Sequence, residues 1–275
     1  PEKTSLGYIE KIVFRKRFWI QNKQKVAKEK YQRITPKEFV NGEGFLYLGD
    51  TARTPYGNKS KNTIERYAVE DARFLVSQGA DALVVACNTM SAYAMDALSA
   101  AFPSFRIYEV IAPAVLVAAR TSKGRVGVIG TRATIGSDIY AARLRSARPD
   151  LDVTSVACPL FVPLVEEGML DARETKMIAR RYLSPLRQKQ IDTLILGCTH
   201  YPLLQDVIRE RVGRRVRLVD SPSAVLDVIE REDADQLAAS VDPVQRYFFT
   251  DDNPRTSQIA ERWLGRTVRM ERAVV

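Results

Sequence analysis

Asp192-Thr193-Leu194-Ile195-Leu196-Gly197-Cys198-Thr199-His200 decides the fold, because the chain spells nearly the same phrase twice. The other copy is Asp81-Ala82-Leu83-Val84-Val85-Ala86-Cys87-Asn88-Thr89, 111 residues upstream. Each copy runs from an aspartate through an apolar stretch to a small residue, a cysteine and then polar residues. A short, uninterrupted apolar run of this kind is a strand covered on both faces, as in a parallel sheet. The polar residues after the cysteine open a helix. Two such copies predict two similar halves that face one another.

The text around the copies alternates in the same way. Short apolar strands are expected at Phe45–Leu48, Ala82–Ala86, Arg106–Val110, Arg125–Ile129, Val153–Ala157, Thr193–Leu196 and Val216–Val219. Amphipathic helices are expected between them: at Ile64–Val76, from Thr89, at Pro113–Thr121, Ala133–Ala147 and Glu174–Gln188, and from Pro202 and Ser223. A final strand–helix–strand closes the chain. The expectation is an α/β fold with two similar parallel-sheet domains related by a pseudo-twofold, the active site lying in the cleft between them. One domain takes 45–110 plus 220–275, the other 111–219, and 1–44 is an atypical basic segment in front.

Composition narrows the function classes. No run of roughly 18 apolar residues occurs, which excludes a transmembrane helix. Val13–Ile20 is broken by Arg15, Lys16 and Arg17, so no secretory pattern is read there. Three cysteines make no disulfide framework and suit a reducing, cytoplasmic setting. The single histidine, His200, leaves no His-rich metal site, and no metal is expected. The net charge of +9 is uneven: residues 1–44 hold 11 Lys/Arg against 5 Asp/Glu, and the other 231 residues hold 31 against 28. Such an arm reads as a solvated face, and neither nucleic acid nor membrane is an expected partner.

Both echoed thiols stand where a strand ends and a helix begins. Unpaired N–H groups and the positive end of the dipole favour an anion there. A free thiol titrates near 8.5, and this placement is expected to lower it toward neutrality. Asn88, Thr89 and Thr199 add amide and hydroxyl groups that suit a carboxylate. A cysteine at a strand end is also a common small buried hydrophobe. Two in matched settings, one of them two residues from the only histidine, favour chemistry, whereas Cys158 has no echo and reads as structural. Disulfide exchange usually employs Cys-x-x-Cys, which is absent. Proton transfer at a carbon stereocentre needs an acid–base group on each face of the substrate, and two half-sites supply that.

Five stretches resemble the cofactor-independent glutamate racemases of the aspartate/glutamate racemase superfamily. They are Asp50–Ser60, Val85–Thr89, Gly127–Thr134, Ala157–Glu166 and Leu196–Leu204. The Gly197-Cys198-Thr199-His200-Tyr201-Pro202 stretch is the most specific, since aspartate racemases of the superfamily usually show Glu at the place of His200. The resemblance implies racemisation of L- and D-glutamate without cofactor, the D-isomer supplying peptidoglycan synthesis and hence the cell wall and cell shape. It makes Cys87 and Cys198 the proton donor–acceptor pair, has His200 tune Cys198, and brings Glu166 to the same place. Around the substrate it sets Tyr56, Gly57, Asn88, Thr89, Thr199 and His200. From the residues alone, Tyr56 reads equally as packing for a Pro-Gly turn, and Glu166 as a solvated carboxylate at a helix end. The family's opening strand ends in Asp-Ser-Gly-x-Gly-Gly, whose Asp assists the first cysteine, and residues 1–44 hold no match to it. Two alternatives stay open: a racemase for another acidic amino acid, and a catalytically impaired relative acting as a binding protein. The sequence also leaves a homodimer open.

Overall fold

The structure, a computed structural model, describes residues 45–232, 245–251, 256–258, 260–261 and 265–275. The basic segment 1–44, and with it the unmatched opening loop, lies outside the described residues.

Among the described residues, nine strands and ten α-helices alternate. In chain order they begin with β1 (Phe45–Gly49), α1 (Lys61–Ser77), β2 (Ala82–Val85), α2 (Asn88–Tyr93), α3 (Met95–Ala101), β3 (Arg106–Glu109), α4 (Ile111–Thr121) and β4 (Arg125–Gly130). There follow α5 (Arg132–Gly136), α6 (Ile139–Ala147), β5 (Asp152–Ala157), α7 (Phe161–Glu166), α8 (Arg173–Gln188) and β6 (Thr193–Gly197). Last come α9 (Gln205–Val212), β7 (Arg217–Asp220), α10 (Ser221–Glu232), β8 (Gln245–Phe249) and β9 (Met270–Arg272). Every strand pairing is parallel. Among the described residues no helix is long and apolar enough to cross a membrane.

The second half is one continuous sheet in the order β5-β4-β6-β7. Its central strands are apolar after their first residues, Arg125 and Thr193, because both faces are covered. Ile129, Leu194 and Leu196 pack with Phe161, Leu183 and Tyr201 on one side, and Val126, Val128 and Ile195 pack with Ala118, Tyr140 and Leu144 on the other. Asp192, the first residue of the echo, explains itself. Burial disfavours its charge, but N–H groups of Arg125 and Lys123 and the hydroxyls of Ser122 and Thr193 outweigh that and hold its carboxyl below the usual range. It thereby clamps the start of β6 to the start of β4. Gly197, the small residue before the thiol, is fixed by close approach: a Cβ there would come 2.7 Å from the Ile129 carbonyl oxygen.

The first half is built differently. β1 pairs with β8 and β8 with β9, while among the described residues β2 pairs only with β3. Among the described residues no strand joins the two small sheets, and α1 spans them. Ile64, Ala68 and Ala72, at helical spacing, pack with Leu83 and Leu98, while Phe74 meets Phe248 edge-on with ring centroids 5.0 Å apart. Ser60 caps α1 through the Thr63 N–H.

Two expectations are corrected. The helix over 133–147 is two, α5 and α6, because Asp138 turns left-handed (φ 54°). The helix expected from Pro202 begins as a 3-10 turn, Tyr201–Leu204, before α9. The helix end read at Glu166 closes the short helix α7, whose start at Phe161 the strand–helix alternation does not mark.

Candidate active site

Cys87 and Cys198 occupy the same station in the two halves, just past β2 and β6. Cys87 is the N-cap of α2, in extended conformation (φ −78°, ψ 118°), and its sulfur faces the backbone N–H groups of Thr89 and Met90 and the Thr89 hydroxyl. The Cys198 sulfur faces the backbone N–H of His200 and the Thr199 hydroxyl. The two thiols also feel one another: a charge on Cys87 disfavours the Cys198 thiolate.

The expected drop in thiol pKa is overturned. Burial pushes the Cys87 thiol up and the Cys198 thiol to about 12, and the N–H and hydroxyl donors only partly offset it. Sequence position identifies a helix start but not how dry it is, and desolvation of a buried anion outweighs the donors of a single short turn. Making a thiolate at Cys198 at pH 8 therefore costs about 5 kcal/mol in the ligand-free protein. A cationic group placed beside the sulfur reduces that cost.

His200 stands in front of Cys198. Its Nδ1 lies 3.8 Å from the Cys198 sulfur and 3.3 Å from Thr199 Oγ1, and its Nε2 lies 3.5 Å from Glu166 Oε1. The structure thus brings together Cys198, Thr199 and His200 from the turn after β6 and Glu166 from the end of α7. Glu166 keeps 39% of its side chain exposed. Behind Cys198 the wall is apolar: the Tyr201 hydroxyl donates to the Cys158 carbonyl at 2.9 Å, and Cys158 is sealed in the core with its thiol pushed up by burial.

The loop after β1 is held on the other side. Tyr56 is buried and its hydroxyl donates to Asp50 Oδ2. Asp50 also receives Arg53 Nε at 2.8 Å and Thr250 Oγ1 at 3.0 Å. Arg53 continues to Asp71 at 2.5 Å and to Glu70. One guanidinium therefore serves three carboxylates. Burial and the Asp50 charge raise Asp71 to about 7 in spite of Arg53, and the Asp71 charge in turn disfavours a thiolate at Cys87. Burial keeps the Tyr56 phenol protonated. Gly57 follows, and a Cβ there would sit 2.7 Å from Thr131 Cβ, so the loop closes on α5 only with glycine.

Asn88 and Thr89 are buried where the halves meet. The Tyr140 hydroxyl donates to Asn88 Oδ1 at 2.5 Å, and Asn88 Nδ2 donates to Ser221 Oγ at 3.2 Å. Ser221 Oγ donates onward to the Leu196 carbonyl at 3.3 Å, which ties the two echoed strands together. Thr89 Oγ1 lies 3.1 Å from both Thr131 Oγ1 and Thr134 Oγ1. Thr131 and Thr134 sit in a motif quoted above, but nothing in the sequence marks Tyr140, Ser221 or Asp71. Their signal is purely three-dimensional.

The family profile for Asp/Glu/hydantoin racemases matches residues 46–229. The glutamate racemase of Persephonella marina is 44% identical over 227 residues, which is 82% of this chain and 85% of that protein. Among solved structures, the Francisella tularensis glutamate racemase in complex with D-glutamate has a TM-score of 0.80 and 32% identity, covering 89% of this chain and 92% of that one. The Bacillus anthracis glutamate racemase isoform RacE1 has a TM-score of 0.82 and 34% identity at the same coverage.

Proposed function

The chain belongs to the Asp/Glu/hydantoin racemase family, and from that premise we propose that it is an isomerase interconverting L- and D-glutamate through Cys87 and Cys198. The observation that carries the mechanism is the matched station of the two thiols past β2 and β6, in halves that meet at Asn88 and Thr89. One sulfur, as thiolate, takes the α-proton. The electron pair left on carbon is delocalised into the adjoining carboxylate, and the other sulfur, as thiol, gives its proton to the opposite face. The reverse direction exchanges the roles, so each turnover leaves one thiol and one thiolate. The substrate's ammonium is the cation that lowers the cost of a thiolate in so dry a place.

Around this pair, Thr199 and His200 support Cys198 with Glu166 behind His200. Tyr56 and Gly57 form the loop on the other side, and Asn88 and Thr89 hold the halves in register. The same residues carry the proton without a prosthetic group. The division into 45–110 plus 220–275 and 111–219 is part of the proposal, as is the role of D-glutamate in peptidoglycan synthesis. The test is isotopic. In D₂O each product molecule carries α-deuterium, as expected when protons leave and return through sulfur. Product free of α-deuterium refutes the mechanism, and rapid exchange with aspartate but not glutamate assigns the other acidic amino acid.

A further inference from the structure

Residues 171–189 and 205–217 carry eleven Lys/Arg against four Asp/Glu, while the body 45–275 holds 31 against 28. Outside these two segments, then, carboxylates outnumber cations. The segments contain α8 and α9, which pack side by side, so the basic charge of the body is gathered on one surface. A cavity of about 500 Å³ opens there, lined by Asp171, Arg173, Lys176, Met177, Arg180 and Arg211. None of the residues around the thiols lines it.

One cation of this groove is paired and the three arginines are poorly supplied with acceptors. Lys176 is paired with Asp171 at 2.8 Å. Arg211 reaches only its chain neighbour Glu210, at 4.0 Å, and its Nε is buried with no acceptor. Arg173 and Arg180 have no ion pair among the described residues. A buried guanidinium N–H without a partner is costly, and the cost is removed by an anion that accepts from it. The start of α8 contributes as well: Ala172 offers no side-chain cap, so the first N–H groups and the positive end of a 16-residue helix face the same region. Met177, 60% exposed, supplies an apolar floor. The volume lies within the roughly 300–1,000 Å³ range of small-molecule sites.

We propose that the groove between α8 and α9 binds a phosphorylated small molecule, its phosphate oxygens accepting from Arg180 and Arg211 and its organic part resting on Met177. Arginine suits this because its planar fork matches two phosphate oxygens at once. The ligand is a phosphate ester rather than a carboxylate amino acid, so the groove is distinct in chemistry from the glutamate site.

The test is calorimetric titration of the full chain with ADP and with inorganic pyrophosphate at low ionic strength. Both are expected to bind. Arg180→Ala and Arg211→Ala should each weaken binding about tenfold or more, the loss of roughly one charged hydrogen bond. Arg187→Ala, on the same helix but outside the groove, should leave it unchanged. Racemisation by all three variants, assayed without added anion, should equal that of the parent and so shows that they fold. No heat at millimolar ADP or pyrophosphate overturns the proposal. So does an equal loss in Arg187→Ala, which marks diffuse charge without a site, and so does binding of duplex DNA in place of ADP.

Discussion

The two thiols share a spelling but not a setting. Cys198 stands at the end of the middle of a four-stranded sheet, with an apolar wall behind it and a histidine–glutamate pair in front. Cys87 stands at the end of β2, which among the described residues pairs with β3 alone, with the Arg53 network of three carboxylates nearby and no histidine. The proposed two-thiol racemisation demands chemical equivalence, since in it each sulfur serves as base in one direction and acid in the other. The molecule meets that demand with local N–H and hydroxyl donors, which are alike on both sides, while the wider surroundings differ. Equivalence is a property of the first contacts and does not need matching architecture.

The most severe way to break the comparison is to remove either sulfur. Cys87→Ala and Cys198→Ala should each lower turnover by ~10²–10⁴-fold, the usual worth of a general acid–base group, equivalent to about 2.7–5.4 kcal/mol. Steady-state rates in both directions test this, and a variant that keeps a tenth of the parent's turnover excludes the two-thiol scheme.

The next effect sharpens the difference at the Cys87 side. Asp71 titrates near 7 in the fold and near 3.9 in an unfolded chain. Between those values the unfolded chain has released a proton that the folded chain still holds, so stability falls as pH rises from about 4 to 7. Asp71→Asn should flatten that slope, removing about 3 kcal/mol of the difference in unfolding free energy between pH 5 and pH 8. Urea titrations at the two pH values measure it. An unchanged slope shows that Arg53 fully neutralises the carboxylate.

A smaller effect probes how the halves touch. Gly57→Ala drives a methyl into Thr131 and should cost about 1–3 kcal/mol of stability, as overpacking typically does. It should also raise KM more than it lowers kcat, because the loop moves while the sulfurs stay. A variant as stable as its parent shows that α5 yields.

Much of this was legible in the sequence because it rests on short-range patterns. The apolar runs mark seven strands within a residue or two at each end, because a strand's inward face admits few polar breaks. The echo located both thiols. What sequence could not carry is set by distance in space. The raised thiol pKa values depend on dryness, and Asp71 becomes notable only because Arg53 folds against it. The hydrogen bonds that Tyr140 and Ser221, from two other helices, make with the Asn88 amide are equally invisible in the sequence. The break at Asp138 was missed because an aspartate in a left-handed turn leaves no mark in a helical pattern.

The finest distinction between the two sides concerns His200. If it carried the proton itself, His200→Asn would cost as much as losing Cys198. The geometry argues for less. Nδ1 is 3.8 Å from the sulfur, a long contact, and Nε2 is 3.5 Å from a Glu166 that is well exposed and therefore screened. One ordinary hydrogen bond contributes about 1 kcal/mol, so His200→Asn should lower kcat/KM about fivefold. Glu166→Gln, one contact further out, should lower it less. The equilibrium constant between enantiomers is fixed at one, so kcat/KM must fall by the same factor in both directions. Only the individual kcat and KM values can reveal which direction employs Cys198 as base. A fall of a hundredfold or more overturns the supporting role and makes His200 an acid–base group in its own right. The molecule would then match one sulfur with a sulfur and a histidine, and the equivalence of the two sides would be lost.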